Sequence, residues 1–461
     1  LVGSGLVSRL EGFIIDRMSD TRVPGLSVAL IRGGEVVYSR GFGYRDVEQM
    51  LPATSNTIYG VGSITKTFTA VSILQLVEKG LLSLDDRVGD ILGFGLKARG
   101  EDVRVHHLLT HTSGIPSLGY AAAFITSMLG LGGRWLPLSD PGQTFSYMSG
   151  AAEWASHKPG ERFFYLNEGY VLLGLIVEKV SGLKYEKYVE KNILEPLGMS
   201  RSHFTREEVV GEEDVAAPYI VSEKGVTRSK FPYGVTADGG LLSSVLDMSR
   251  MVVALMNRGR LGDSEILGSR YVELMEEPRI TIPSFQVFGG EAYGYGVIVA
   301  PSFPGGRLIW HSGSILVHTG FYGYMPEKRM GVVVLSNASG YPPGNIGMYA
   351  LTLLQGMDPE ETLPFIRHEN LLRMLEGTYH GYKDSVEASV KRLGDFLTLE
   401  YMGGVGGRYV LILDRVEDNH IYFWTSMNTA KITAEFIVEG DNVTLFFDRY
   451  KLVRVGRPRV K

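Results

Sequence analysis

Cysteine is absent from the 461 residues. That removes disulfides, a thiolate nucleophile and cysteine-ligated zinc, and with them any redox argument about compartment. A cysteine-free chain of this length also suits a heat-adapted source. Long apolar runs are missing too. A membrane-spanning helix needs roughly 20 apolar residues. The longest stretches, YVLLGLIV from Tyr170 and AAAFITSMLGLGG from Ala121, are too short or too broken by glycine. Charge of one sign is scarce: the formal net charge is -5 with no basic stripe, so no nucleic-acid partner and no membrane are expected. His-Glu-x-x-His does not occur and the ten histidines are scattered, so no metal or other cofactor is expected. The opening LVGSGLVSRLEGFIIDRM lacks a basic start and carries Glu11 and Asp16, unlike a secretory signal. The expected compartment is the cytoplasm, with a trimmed N-terminus because leucine leads.

What is present is an ordinary globular composition, 44% hydrophobic and 21% charged, in a chain too long for one small core. GLSVALIRGGEVVYSRGFGY reads as two strands turning at Gly33–Gly34. In SITKTFTAVSILQLVEKGLL, Phe68, Val71, Leu74 and Val77 share one helical face, and Gly80 marks the helix end. GYVLLGLIVEKVSG is a second helix closing at Gly182, and RLIWHSG and GFYGYMPEKRMGVVVLSN return to strands. Strands early and late with helices between predict an antiparallel sheet completed from both ends and carrying a helical insert. Beyond Leu371 the segments alternate with the period of a strand, from SVEASVKR to NVTLFFDRYKLVRV. The expectation is therefore an α+β domain over residues 1–365 and a small antiparallel β-barrel over 366–461.

Chemistry is concentrated in three short motifs. Ser63 and Lys66 lie three apart at a helix start, where the amine reaches the hydroxyl and the positive end of the helix favours an oxyanion. A serine alcohol needs such a neighbour to become a nucleophile. Taken alone the pair is also what a helix start with a solvated lysine looks like. Ser181 and Lys184 repeat the spacing across a helix-ending glycine. Tyr165 and Asn167 stand just before an apolar helix, able to relay protons and to hold the lysine or a substrate carbonyl; a packed tyrosine with an Asn cap is the bland alternative. His311, Gly313 and Ser314 end a strand where glycine allows close backbone approach, although HTSG at 111 and HTG at 318 fit the same pattern.

In order and context the three motifs resemble the penicillin-recognising serine hydrolases, the beta-lactamase-related family often called CubicO-like. VPGLSVAL, LLTHTSGIPS, PGERF, ADGGLLSSVLDMSRM and GYMPEKRMGVVVLSN carry the resemblance further, over about residues 8 to 350. It implies a beta-lactamase/transpeptidase-like fold with Ser63 acylated, Lys66 as its partner and Tyr165 as general base and acid. Asn167, His311, Gly313 and Ser314 would meet the substrate, with the backbone N–H groups of Ser63 and Ser314 as oxyanion hole. His311 stands where many relatives have a lysine, and His318 ranks below it. A histidine carries charge only part of the time near neutral pH. That disfavours free-carboxylate substrates and turns the expectation toward a peptidase or amidase, plausibly for peptides containing D-amino acids. A carboxylesterase and a penicillin-binding protein without turnover are the alternatives. The tail resembles the lipocalin-like barrel of archaeal peptidases specific for D-residues. It reads first as a packing or assembly module, next as a lid, and last as a ligand cavity. Partners are then a peptide or small-molecule substrate and further copies of the chain, a homo-oligomer able to shelter its active sites. YMGGVGGRYV, from Tyr401, would be a mobile loop reaching another subunit.

Overall fold

The computed structural model describes residues 3–131, 141–401 and 407–456. Two compact units are distinct, Leu1–Met357 and Asp358–Lys461. In the first, strand β1 (Gly25–Arg32) pairs antiparallel with β2 (Glu35–Asp46) across the Gly33–Gly34 turn, where both glycines have positive φ. Strands β3 (Ile298–Phe303), β4 (Gly306–Ser314), β5 (Thr319–Met325) and β6 (Met330–Ser336) follow late in the chain, and β6 pairs with β1. With three two-residue flanking strands they make one nine-stranded sheet.

The sheet is covered on both faces, which is why β1 and β6 are almost wholly apolar. Adjacent residues show it. A side chain at Gly331 would meet Val252, on the helix Val245–Met256, whereas Val332 lies against Gly347, on the helix Pro343–Leu354. The insert supplies helix α1 (Thr65–Glu78), α2 (Tyr120–Met128) and α3 (Asn167–Ser181).

Helix α1 departs from the one-faced pattern read from the sequence: it is buried continuously from Thr65 to Leu76. Three of its polar residues reach distant partners. Thr67 donates to the Gly296 carbonyl at 2.8 Å, Thr69 to the Ala237 carbonyl at 2.6 Å, and Gln75 to the Ile266 carbonyl at 2.6 Å. A helix buried all round normally reads as apolar all round; here hydrogen bonding substitutes for apolarity.

The second unit is a closed barrel of eight antiparallel strands. Alternate residues point inward, as in Asn442–Phe447, where Val443, Leu445 and Phe447 are buried. Tyr379, Leu399, Leu411, Phe423 and Phe436 fill the interior and join Leu372 and Leu375 of the preceding helix in one core. This is a packed barrel. NVTLFFDRYKLVRV, continuous to the eye, is two strands, Asn442–Phe447 and Tyr450–Gly456, folded back at Asp448 with φ +53°. Strand Gly377–His380 lies N-terminal to the first alternating run read in the sequence and closes the circle. In the glycine-rich loop, Met402–Gly406 lie outside the described residues. No helix among the described residues is long and apolar enough to cross a membrane.

Candidate active site

Ser63 sits on a single helical turn, Gly62–Ile64, that leads straight into α1. Gly62 has φ +56°, a conformation open to glycine, and so turns the chain sharply before the serine. One turn on, Lys66 is fully buried. Its Nζ donates to Ser63 Oγ at 3.0 Å, to Asn167 Oδ1 at 2.8 Å and to the main-chain carbonyl of Asp238 at 2.6 Å. Three acceptors match the three N–H bonds of an ammonium.

The first residue of α3 is Asn167. The register of the approach to it is fixed by His111, whose Nδ1 accepts the Leu166 N–H at 2.9 Å. Tyr165 meets the cluster through Lys66, whose Nζ is 4.9 Å from the phenol ring centroid and 5.5 Å from that of Tyr170. The His111 ring lies 4.2 Å from Tyr165 and 4.8 Å from Tyr293, so the ammonium is housed among aromatic rings.

Strand β4 brings the third motif alongside. β3 pairs with it only as far as Trp310, and past that point Gly313 meets the serine turn. A Cβ on Gly313 would lie 2.0 Å from the Val61 carbonyl oxygen and 2.9 Å from the Ser63 nitrogen; one on Gly62 would lie 2.7 Å from the Ser314 nitrogen. The backbones at 61–63 and 313–314 therefore abut through Gly62 and Gly313, which puts the Ser63 and Ser314 amides in one small region.

His311 differs from its sequence reading. Its Nδ1–H donates to the Ser312 carbonyl at 2.6 Å and its Nε2 accepts the Tyr293 hydroxyl at 2.9 Å. Burial, and next the Lys66 charge, push its pKa down to about 3. At neutral pH it is uncharged, and it steadies Tyr293 rather than Tyr165. Tyr293 in turn stands edge-on to Tyr165 at 6.4 Å. His318 is outside the motif cluster but not idle: its Nδ1 accepts the Gly60 N–H at 2.8 Å, pinning the strand that delivers Ser63. The second Ser-x-x-Lys match is inert. Gly182 ends α3 between its members, and Lys184 is exposed and pairs with Glu178.

A cavity of about 300 Å³ opens on Ser63 and Asn167. Its walls are Ala121, Ala122 and Ile125 from α2, with Val235, Ile315 and Leu316 opposite the alcohol and amide in character. Leu316 is 40% exposed and held at φ +67°, a strained conformation for leucine and a common mark of a ligand-facing residue. Asp238 also lines it. Sequence reading passed over Asp238, Glu168 and Tyr293, and weighed His111 only as a further match to the His-x-Gly pattern. Asp238 lay in the notable stretch ADGG and Glu168 directly after Asn167. Among the described residues no cluster of histidines and carboxylates could hold a metal ion.

A family model described as Beta-lactamase matches residues 10–356, and one described as Pab87 octamerisation domain matches residues 359–453. The octameric penicillin-binding protein homologue from Pyrococcus abyssi is 51% identical, with a TM-score of 0.91, over 97% of this chain and 100% of that one. Protein flp of Staphylococcus aureus is 29% identical over 334 residues, 71% of this chain; the match spans 62% of its own length. The D-amino acid amidase from Ochrobactrum anthropi has a TM-score of 0.62 at 24% identity over 77% of this chain and 99% of that one, a likeness of fold.

Proposed function

The chain belongs to the beta-lactamase family, and we propose on that footing that it is a serine hydrolase cleaving amide or peptide bonds through an acyl-enzyme on Ser63. The observation that carries this reading is the buried ammonium of Lys66, which ties Ser63 Oγ to Asn167 Oδ1 at the mouth of an apolar cavity. Ser63 Oγ attacks the carbonyl carbon and its proton passes through Lys66 and Tyr165 to the leaving amine as the C–N bond breaks. The Ser63 and Ser314 N–H groups take the oxyanion. Water then splits the ester, returning the proton to Ser63. Neutral His311 offers no fixed charge for a substrate carboxylate, and the apolar walls suit a residue with a hydrocarbon side chain, including D-residues presented in mirror image.

The barrel is assigned to assembly. The Pyrococcus abyssi relative is described as octameric, and the tail matches a domain described by octamerisation. On this reading the molecule is a homo-oligomer.

Two variants and one probe test the hydrolase. A fluorophosphonate should add one adduct to Ser63 by peptide mass mapping. Ser63→Ala and Lys66→Ala should each lose turnover of D- and L-amino-acid amides by at least a thousandfold. Wild-type rates in either variant would overturn the assignment. A preference for short-chain nitrophenyl esters over amides would make the enzyme an esterase.

A further inference from the structure

Asp238 is 2% exposed, lines the cavity beside Ser63, and its Oδ1 has no hydrogen-bond partner. A buried carboxylate oxygen without a protein partner is costly and calls for an explanation. Lys66 is not that explanation. Its three N–H bonds are taken by Ser63, Asn167 and the main-chain carbonyl of Asp238 itself, leaving none for the carboxylate.

The charge balance points the same way. Glu168 is fully buried nearby, its Oε1 accepting the Tyr120 N–H at 2.9 Å and its Oε2 left without a partner. Two buried carboxylic groups thus face the one Lys66 cation, and no lysine, arginine or histidine among the described residues lines the cavity. Burial holds both groups above the usual carboxylate range, the Lys66 charge opposes this in each, and the Asp238 charge adds to it at Glu168.

We propose that the Asp238 carboxylate anchors a primary ammonium group of the substrate, so that the enzyme acts on amides and peptides at a residue with a free α-amino group. This rests on the serine-hydrolase reading given above. The geometry is suitable: the main-chain oxygen of Asp238 and Ser63 Oγ share one lysine nitrogen, at 2.6 and 3.0 Å. An α-amino nitrogen is two bonds from the carbonyl carbon that Ser63 attacks. With the ammonium on Asp238, the apolar side chain has Ala121, Ala122, Ile125 and Leu316 to lie against.

The test compares matched substrates on the full chain. Phenylalanine and leucine nitroanilides of both hands are offered with free and with acetylated amino groups. Wild type should favour the free amine at least tenfold in kcat/KM, and Asp238→Asn should reduce that ratio at least tenfold. A ratio unchanged in Asp238→Asn, or absent in wild type, overturns the proposal. Should the variant fail to fold, wild type alone decides. Phenethylammonium should slow fluorophosphonate labelling of Ser63 and its N-acetyl derivative should not; equal effects overturn the proposal. Labelling absent even without competitor would instead overturn the hydrolase reading itself.

Discussion

At Lys66 every N–H already has an acceptor, and this bears on which residue handles the proton. An ammonium so engaged stabilises negative charge on Ser63 or Tyr165, but takes up a proton only after releasing one. On the proposed mechanism Tyr165, whose ring centroid lies 4.9 Å from the same nitrogen, is then the group left to exchange protons with the leaving amine. Tyr165→Phe should lower kcat/KM by roughly a hundredfold to ten-thousandfold, the range for a lost general acid–base. Single-turnover kinetics should show acylation as the slowed step. A histidine prediction follows from burial. His318 is buried, with a folded pKa of about 3 against 6.5 for the free side chain. Between those values the unfolded chain binds a proton that the folded chain refuses, so stability falls as pH drops below 6.5. His318→Gln keeps an acceptor for Gly60 and removes the titration. Between pH 7 and pH 5 it should lose less stability than wild type by about 2 kcal/mol, read from urea melts at both pH values.

At the scale of elements, the site is an encounter between a turn and a strand end, and glycine makes the encounter possible. Gly313→Ala would place a Cβ 2.0 Å from the Val61 carbonyl oxygen, so the strand or the serine turn must move. Losing one oxyanion donor costs roughly a hundredfold or more in kcat. Gly313→Ala should therefore lower kcat by that order while the far-ultraviolet circular dichroism spectrum stays as in wild type; a wild-type rate would show the close approach to be unnecessary. Much of the scaffold was legible because local chemistry sets it. The Gly33–Gly34 hairpin, the αL glycine after α3 and the alternating barrel strands are each written in a few neighbouring residues. What stayed hidden depends on distance along the chain. The threonines of α1 look misplaced until carbonyls more than 150 residues away are seen to accept from them. Asp238 and His111 gain meaning only when the fold sets Lys66 of α1 beside the one and Tyr293 beside the other, and no local pattern announces that.

At the scale of the whole molecule, the barrel's closure limits how it can assemble. A closed barrel has no free strand edge, so copies cannot join by extending a sheet. Contact must run through side chains on the outside. Leu393, Phe396, Val410, Val416, Val453 and Val455 are each at least 42% exposed there and available for it. All the groups proposed for catalysis lie within Leu1–Met357, and the two units have separate cores. Assembly and chemistry should then be separable. The full chain should scatter light as a multiple of its 50.8 kDa mass, and a chain ending at Met357 should scatter as a monomer yet still label at Ser63. An oligomeric truncated chain would move the contacts to the hydrolase unit. A folded monomer that no longer labels would mean that the barrel, or a neighbouring copy held by it, completes the site.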